Sequence, residues 1–229
     1  MRRLGTALAL VALTALAGCS GGTGATPLFP EVFQAARGAI AQGKARRAQA
    51  GRPPLTRAAL GTVQGAFIEV TLERSGQLAY LFRSAVLRDG GPGEIVQWRT
   101  EDNVTVTMRA GMITATRGLG GDLISAEVPA EPGVFGPARG GARAYFVRTG
   151  DLEEARVSLA CDLADLGPET IEIVELSYAT RHLRETCEDA GGGRVQNDYW
   201  VDSRRNITWK SVQWAGPHVG YLRIRRLTE

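Results

Sequence analysis

Cysteine and histidine are scarce in this chain, which has three cysteines and two histidines among its 229 residues. A Cys/His zinc centre needs about four such ligands close together, and histidine is the commonest general base in enzymes. The chain has 27 basic and 24 acidic residues, with no basic stripe, so charge gives no argument for nucleic acid. The sequence therefore predicts no metal site, no cofactor and no nucleic-acid partner.

Long apolar runs are also missing, because the run at residues 4–16 is shorter than the roughly 20 residues that span a bilayer. Arg2 and Arg3 precede this run and small residues follow it, which indicates a secretory signal peptide over residues 1–18. The sequence LAGC that ends at Cys19 resembles a bacterial lipobox. The resemblance implies cleavage before Cys19 and acylation of this residue with palmitate and further chains. The alternative is an ordinary signal peptide with a chance cysteine.

The residue after the cysteine and the segment that follows it suggest where the protein resides. Ser20 resembles the enterobacterial signal for sorting to the outer membrane, which would place the protein on the periplasmic face. Residues 20–27 are small and polar, which predicts a lipidated flexible tether over residues 19–29. Residues 44–57 are basic and indicate a solvated loop or, alternatively, a contact with anionic headgroups.

The remaining residues, 30–229, predict a single mainly β domain. Residues 30–42 have a helical period, and the 29 glycines and 10 prolines of the chain favour turns and short elements. Alternating apolar and polar residues predict strands at 68–73, 78–87, 95–100, 104–109, 112–117, 144–149, 155–161, 171–178, 196–201, 207–214 and 219–227. Residues 180–189 predict a short helix or a loop. We expect a curved or split antiparallel sheet, a half-barrel or sandwich-like meander, with a short N-terminal helix.

A glycine-rich segment at residues 118–123 interrupts the predicted strands. No Gly-Lys-Ser/Thr follows it, and its spacing does not match a dinucleotide-binding fingerprint. We expect close backbone packing there, with Asp122 capping a turn.

The two cysteines that remain after Cys19 form an even pair. Exported domains lie in an oxidising compartment, so parity predicts a disulfide between Cys161 and Cys187, with two free buried thiols as the alternative.

Catalytic constellations are weak in this sequence. His182 and Glu185 would share a helix face, but a metal site needs further ligands. Asp198 and Asp202 are the best carboxylate pair, yet four residues of strand separate them by about 13 Å, too far for glycoside cleavage. No nucleophile elbow occurs either, so we predict no catalytic residues.

Aromatic residues concentrate near the end of the chain, at Tyr199, Trp200, Trp209 and Trp214. Sugar rings stack on indoles, and alternation places Lys210 and Trp214 on one strand face. We therefore predict Trp214 with Lys210 as glycan-contact residues. Core packing is the alternative for each tryptophan.

Two stretches of the chain carry a family resemblance. One contains RAGMI at residues 109–113 and TRGLGGDL at residues 116–123. The other contains NDYWVD at residues 197–202 and ITWKSVQW at residues 207–214. With the lipobox, these stretches resemble the YjbF/GfcB family of group 4 capsule lipoproteins. The resemblance implies a β-rich fold and supplies no catalytic residues.

The resemblance implies a role in making and exporting capsular or extracellular polysaccharide. We expect an outer-membrane lipoprotein that acts as a non-enzymatic component of polysaccharide secretion. The implied partners are an outer-membrane porin-like protein, periplasmic polysaccharide-export proteins and the polysaccharide itself. The alternatives are a lipid or lipoprotein carrier with a half-barrel fold, or a polysaccharide-modifying enzyme.

Overall fold

The structure is a computed structural model that describes residues 55–148, 153–202 and 204–228. Cys19, the predicted signal peptide, the tether and the helix predicted at residues 30–42 lie outside these residues. Most of the basic run at residues 44–57 lies outside them as well.

Twelve strands and one short helix, α1 (Arg57–Gly61), make up the regular structure of the described residues. Thr56 begins the helix, and its side-chain oxygen accepts a hydrogen bond from the Ala59 amide. The strands are β1 (Phe67–Leu72), β2 (Gln77–Leu87), β3 (Ile95–Arg99), β4 (Thr105–Arg109), β5 (Met112–Arg117), β6 (Leu123–Glu127), β7 (Gly141–Arg148), β8 (Glu154–Ile173), β9 (Leu176–Glu188), β10 (Arg194–Asp202), β11 (Ile207–Trp214) and β12 (Tyr221–Arg226).

All twelve strands belong to one antiparallel sheet with the order β5-β4-β3-β2-β1-β12-β11-β10-β9-β8-β7-β6. Strands that follow each other in sequence are paired, except β5 and β6, and the first strand pairs with the last. The edge strands β5 and β6 nevertheless contact each other, so the sheet curves into a nearly closed ring. We call this unpaired boundary the seam. The predicted curved antiparallel sheet is confirmed, and the sheet is not split.

The first five strands lie where alternation predicts them, within one residue at most ends. The sequence does not predict β6, because Leu123 is the only one of its five residues that is buried. Asp122 caps the glycine-rich turn as expected. Its carboxylate accepts hydrogen bonds from the amides of Gly118 and Leu119 at 2.8 and 3.0 Å.

The long hairpin of β8 and β9 corrects two predictions. The strand predicted at residues 171–178 is the hairpin tip, where Val174 and Glu175 have φ angles of 45° and 66°. The helix or loop predicted at residues 180–189 is part of β9. The strands predicted separately at residues 155–161 and 171–178 are connected, because β8 continues past Gly167 and Pro168 through a bulge next to Asp165.

The polar sequence of β9 explains the second error. His182 and Arg184 lie on one strand face and Glu185 on the other, where it pairs with buried Arg143. With polar residues on both faces, β9 shows no alternation that the sequence could reveal. The strand also separates His182 from Glu185, so they form no shared face.

The main core fills the enclosed face of the sheet and includes Ile68, Val70, Leu81, Trp98, Val106, Leu123, Tyr145, Leu159, Leu222 and Ile224. Full burial of one such side chain contributes about 1.5–3 kcal/mol. A second cluster contains both Trp200 and Trp209 together with Ile171, Ile173, Leu60 and Leu227. These two tryptophans are therefore packing residues, 7% and 1% exposed.

The two stretches that carry the family resemblance meet in space. Gln213 of β11 donates to the Gly111 carbonyl at 2.8 Å and accepts from the Ile113 amide at 2.9 Å. Gly111 has φ of 85°, and a Cβ there would lie 2.6 Å from the Thr208 hydroxyl. One buried amide side chain thus connects β11 to β5 through the core.

Candidate functional site

The residues predicted to contact glycan are separated in the structure. Trp214 is half-buried, packs against the main core, and lies edge-on to the Tyr145 ring at 5.1 Å. Lys210 instead places its Nζ 3.9 Å from the centre of the Trp200 ring. The pair forms no joint platform, and a glycan contact at either residue stays a prediction.

Lys210 belongs to a polar cluster that the sequence did not reveal. The imidazole of His182 stacks on Trp200 at 4.4 Å, and its Nε2 lies 2.7 Å from Asp198 Oδ1. Its Nδ1 lies 3.0 Å from Glu169, near the hairpin tip. Burial raises the pKa of Asp198, but hydrogen bonds from Arg184, His182 and Gln196 outweigh burial and hold this pKa below its usual range.

A groove of about 620 Å³ runs between the β8–β9 hairpin and the outer face of β1, β11 and β12. Its charges are largely neutralised within the protein. Arg225 forms two hydrogen bonds of 2.7 Å with Glu69, and Arg223 pairs with Glu73 at 3.0 Å. Burial lowers the pKa of Lys210, the remaining cation of the groove's lining. Glu172 and Lys210, which are opposite in charge, are the lining residues that form no ion pair among the described residues, so the groove offers a ligand no excess of either charge.

Arg143 and Glu185 form a buried ion pair in which each side chain is 2% exposed. Asn197 donates to the second Glu185 oxygen at 2.8 Å and accepts from the Trp214 amide at 2.8 Å. Burial raises the pKa of the neighbouring Tyr145 to about 12. Because these groups satisfy one another inside the core, we assign them to the fold.

Cys161 and Cys187 face each other on β8 and β9 and are joined by a disulfide in this structure. Glu185 lies near both sulfur atoms, so the three side chains could be mistaken for a metal site. Sulfur atoms bonded to each other offer no thiolates to a metal.

The two candidate carboxylates are engaged in structural contacts. Asp198 accepts from Arg184 at 2.8 Å, and Asp202 accepts from the amides of Arg204 and Arg205 in the following turn. Neither carboxylate is left free as an acid or base.

A pocket of about 260 Å³ with both apolar and polar lining residues opens beside the turn between β10 and β11. Trp98, Met108 and Ile224 belong to its lining, and Arg83 and Arg226 lie beside them. The volume is below the roughly 300–1,000 Å³ of common small-molecule sites.

A larger polar cleft of about 1,060 Å³ lies at the seam. Three arginines and one histidine line the cleft, namely Arg99, Arg117, Arg148 and His218. Hydroxyl and amide groups are added by Gln97, Asn103, Thr105 and Thr107. Sequence reasoning missed this cleft because its residues come from five strands and three loops. The only local signal is in β4, where the polar Thr105 and Thr107 alternate with the buried Val106 and Met108.

Packing fixes the walls of this seam cleft. A Cβ at Gly121 would lie 2.3 Å from the His218 Cβ, so the glycine lets the β5–β6 loop press against the β11–β12 loop. The carboxylate of Asp122 accepts hydrogen bonds from the amides of Gly118 and Leu119 and from the Thr116 hydroxyl, and these bonds fix the conformation of the same loop.

Among the described residues, no helix is both long and apolar enough to cross a membrane.

Comparison with known proteins adds sequence and structural likenesses. Residues 35–227 match the family described as group 4 capsule polysaccharide lipoprotein gfcB, YjbF. The crystal structure of the hypothetical lipoprotein YmcC from Escherichia coli (K12) is similar in fold, with a TM-score of 0.63 at 14% identity. The similarity covers 78% of this chain and 98% of that protein. No curated protein sequence matches the chain.

Proposed function

The chain belongs to the group 4 capsule polysaccharide lipoprotein family (GfcB, YjbF), and from this premise we propose that it is a non-enzymatic component of capsular or extracellular polysaccharide secretion. The observation that carries the proposal is the extent of the family match, which takes in every strand of the sheet. The family places the protein in capsule-related processes at the cell envelope; its anchor and its role in secretion are our proposal.

We propose that Cys19 carries the lipid anchor in the outer membrane, with the domain in the periplasm. One acyl chain gives only marginal membrane binding, whereas two or more chains hold a protein firmly. Residues 20–27 reach at most about 26–29 Å when fully extended. A domain on this tether works close to the membrane surface, where polymer export takes place.

A non-enzymatic role is supported by the contacts of the candidate catalytic side chains, which form hydrogen bonds and ring contacts within the fold. Asp198 and Asp202 are held by neighbouring donors, and His182 lies between two carboxylates with its ring stacked on Trp200. A carrier role has less support, because the pocket beside the β10–β11 turn holds only about 260 Å³ and its lining includes charged residues such as Arg83 and Glu94.

For partners, we propose an outer-membrane porin-like protein, periplasmic polysaccharide-export proteins and the polymer itself. Co-purification of these proteins from detergent-solubilised envelopes, by a tag on the C-terminus, tests this proposal. Recovery of the tagged protein alone contradicts it.

The anchor and the role are tested together in cells that lack the native protein. Wild-type protein should incorporate labelled palmitate, fractionate with the outer membrane and restore polymer release. Cys19→Ser should lose the label and the membrane fraction, and polymer release should fall because the local concentration at the membrane is lost. Palmitate incorporation by the Cys19→Ser protein, or normal polymer release in cells without the protein, would contradict the proposal.

A further inference from the structure

The seam is the one place in the described sheet where two neighbouring strands are not paired. Strand edges that lack a partner leave backbone N–H and C=O groups open, and proteins usually cover such edges or place charges beside them. Here the edges of β5 and β6 lie along the seam cleft of about 1,060 Å³. The cleft is therefore a concave polar surface of a size that fits a short run of sugar residues.

Side chains of the cleft are arranged in two ladders across β3, β4 and β5. One ladder contains Arg99, Thr105 and Arg117 in register. The other, Gln97 with Thr107 and Ala115, runs beside the first. Alternation puts both ladders on the face opposite buried Trp98 and Val106. The two arginines of the first ladder stand about 10 Å apart, on either side of a threonine.

The lining of the seam cleft carries more positively charged than negatively charged side chains. Arg117 and Arg148 are exposed, and no carboxylate among the described residues forms an ion pair with either. Asp122 is the one acidic residue in the lining, and three hydrogen bonds occupy its carboxylate. By contrast, Arg143 and Arg225 each pair with a glutamate.

Arg99 adds a third guanidinium to the cleft. Its Nη1 donates to Asn103 at 2.9 Å, while its Nε is buried with no hydrogen-bond partner. A buried donor without a partner is uncommon, because it loses its hydrogen bond to water. The cleft thus combines three guanidinium groups with hydroxyl and amide donors and acceptors.

We propose that the seam cleft binds a segment of anionic polysaccharide, with its acidic groups on Arg117 and Arg148. Guanidinium groups recognise carboxylates through paired hydrogen bonds, and the threonine and amide side chains suit sugar hydroxyls. A peptide added as a strand to the edge would need pockets for alternate apolar side chains, whereas most side chains that line the cleft are charged or carry hydroxyl or amide groups. This inference rests on the proposed role in polysaccharide secretion and names the chemistry of the polymer that the protein contacts.

Titration of the mature full-length protein in a non-ionic detergent tests the inference. The probes are polygalacturonate and neutral dextran of similar length, each at about 0.05 M and about 0.5 M salt. Wild-type protein should bind polygalacturonate at low salt, less at high salt, and dextran weakly or not at all. The double variant Arg117→Gln/Arg148→Gln should weaken polygalacturonate binding by at least about tenfold.

The matched control is Arg83→Gln/Arg204→Gln, which removes the same charge from exposed positions outside the cleft that, like Arg117 and Arg148, form no ion pair among the described residues. The control should bind within about twofold of wild type, and unchanged circular dichroism should show that both variants are folded. Equal loss in both variants would mean general charge attraction and would overturn the inference. Tight binding of dextran, no polyanion binding by wild type, or protection of β5 amides by an extended peptide in place of the polyanion would overturn it as well.

These outcomes separate the cleft from the proposed function. Failure of wild-type protein to bind polygalacturonate removes the cleft inference and leaves the lipoprotein role standing. Normal polymer release in cells without the protein removes the role instead, whatever the purified protein binds.

Discussion

At the scale of single residues, burial decides which charges stabilise this fold. The Arg143–Glu185 pair and the Arg181–Asp165 pair have the same chemistry but opposite environments. Side chains of the first are each 2% exposed, whereas those of the second are 52% and 42% exposed. Water screens the exposed pair, while the buried pair depends on its partner and on Asn197.

We therefore expect Glu185→Gln to destabilise the protein by about 3–5 kcal/mol, because it leaves the Arg143 charge buried without its counter-ion. Arg181→Gln, which breaks the exposed pair, should change the free energy of unfolding by at most about 1 kcal/mol. Urea unfolding of both variants, followed by circular dichroism, measures the two changes. Equal effects would show that Arg143 finds another partner or water when Glu185 is neutral.

Residue roles were partly predictable from sequence. The cap at Asp122 follows from a carboxylate after a glycine-rich turn, and it is found. The sequence does not decide whether Trp200 and Trp209 pack in the core or contact glycan. Alternation predicts which face of the strand a side chain is on, but it does not predict whether that face is buried by other parts of the chain. Arg117 and Arg148 carry no local signal, because only the ring closure brings β5 and β7 to one cleft.

At the scale of elements, the long β8–β9 hairpin shows where sequence patterns fail. Strands β1 and β4 are predicted because apolar and polar residues alternate in their sequences, although in β1 the polar Glu69 and Thr71 are buried as well. In β8 and β9 the alternation is masked by a bulge at Gly167 and by the buried polar group at Glu185. The spacing of apolar residues along the sequence therefore suggests two separate strands in place of β8 and a helix or loop in place of β9.

The disulfide gives this hairpin a testable constraint. It closes a loop with a sequence separation of 26, for which the chain-entropy model gives about 3 kcal/mol. We expect intact mass to show no free thiol without reductant, and reduction to lower the free energy of unfolding by about that amount. Cys161→Ala/Cys187→Ala should be insensitive to reductant, which serves as the control. Two free thiols in the untreated protein would rule out the bridge.

At the scale of the whole molecule, the ring is opened at the seam and not at the chain ends. Thr228 lies at the end of the described residues. Its hydroxyl accepts a hydrogen bond from the Phe67 amide at 2.8 Å and donates one to the Gly65 carbonyl at 3.0 Å. Arg57 likewise donates to the Leu227 carbonyl at 2.9 Å. The two ends of the described domain are thus neighbours, while the consecutive strands β5 and β6 share no ladder. Sequence patterns could not reveal this, because they carry no information on which pairing is missing.

This topology predicts how the chain tolerates being cut. In a circular permutant of residues 55–228 with its ends joined by a short glycine-serine linker, opening between Gly120 and Gly121 breaks no hairpin. Such a protein should lose only about 1 kcal/mol, the scale of the Asp122 contacts that cross the cut. Opening the same permutant at Gly76 instead cuts the turn that connects β1 to β2, two strands that are paired along all six residues of β1. This control should be less stable, because the tight turn no longer holds those strands together. Urea unfolding of both permutants against the linear domain measures the difference. Equal losses would mean that the turn at Gly76 contributes no more to stability than the contacts that cross the cut between Gly120 and Gly121.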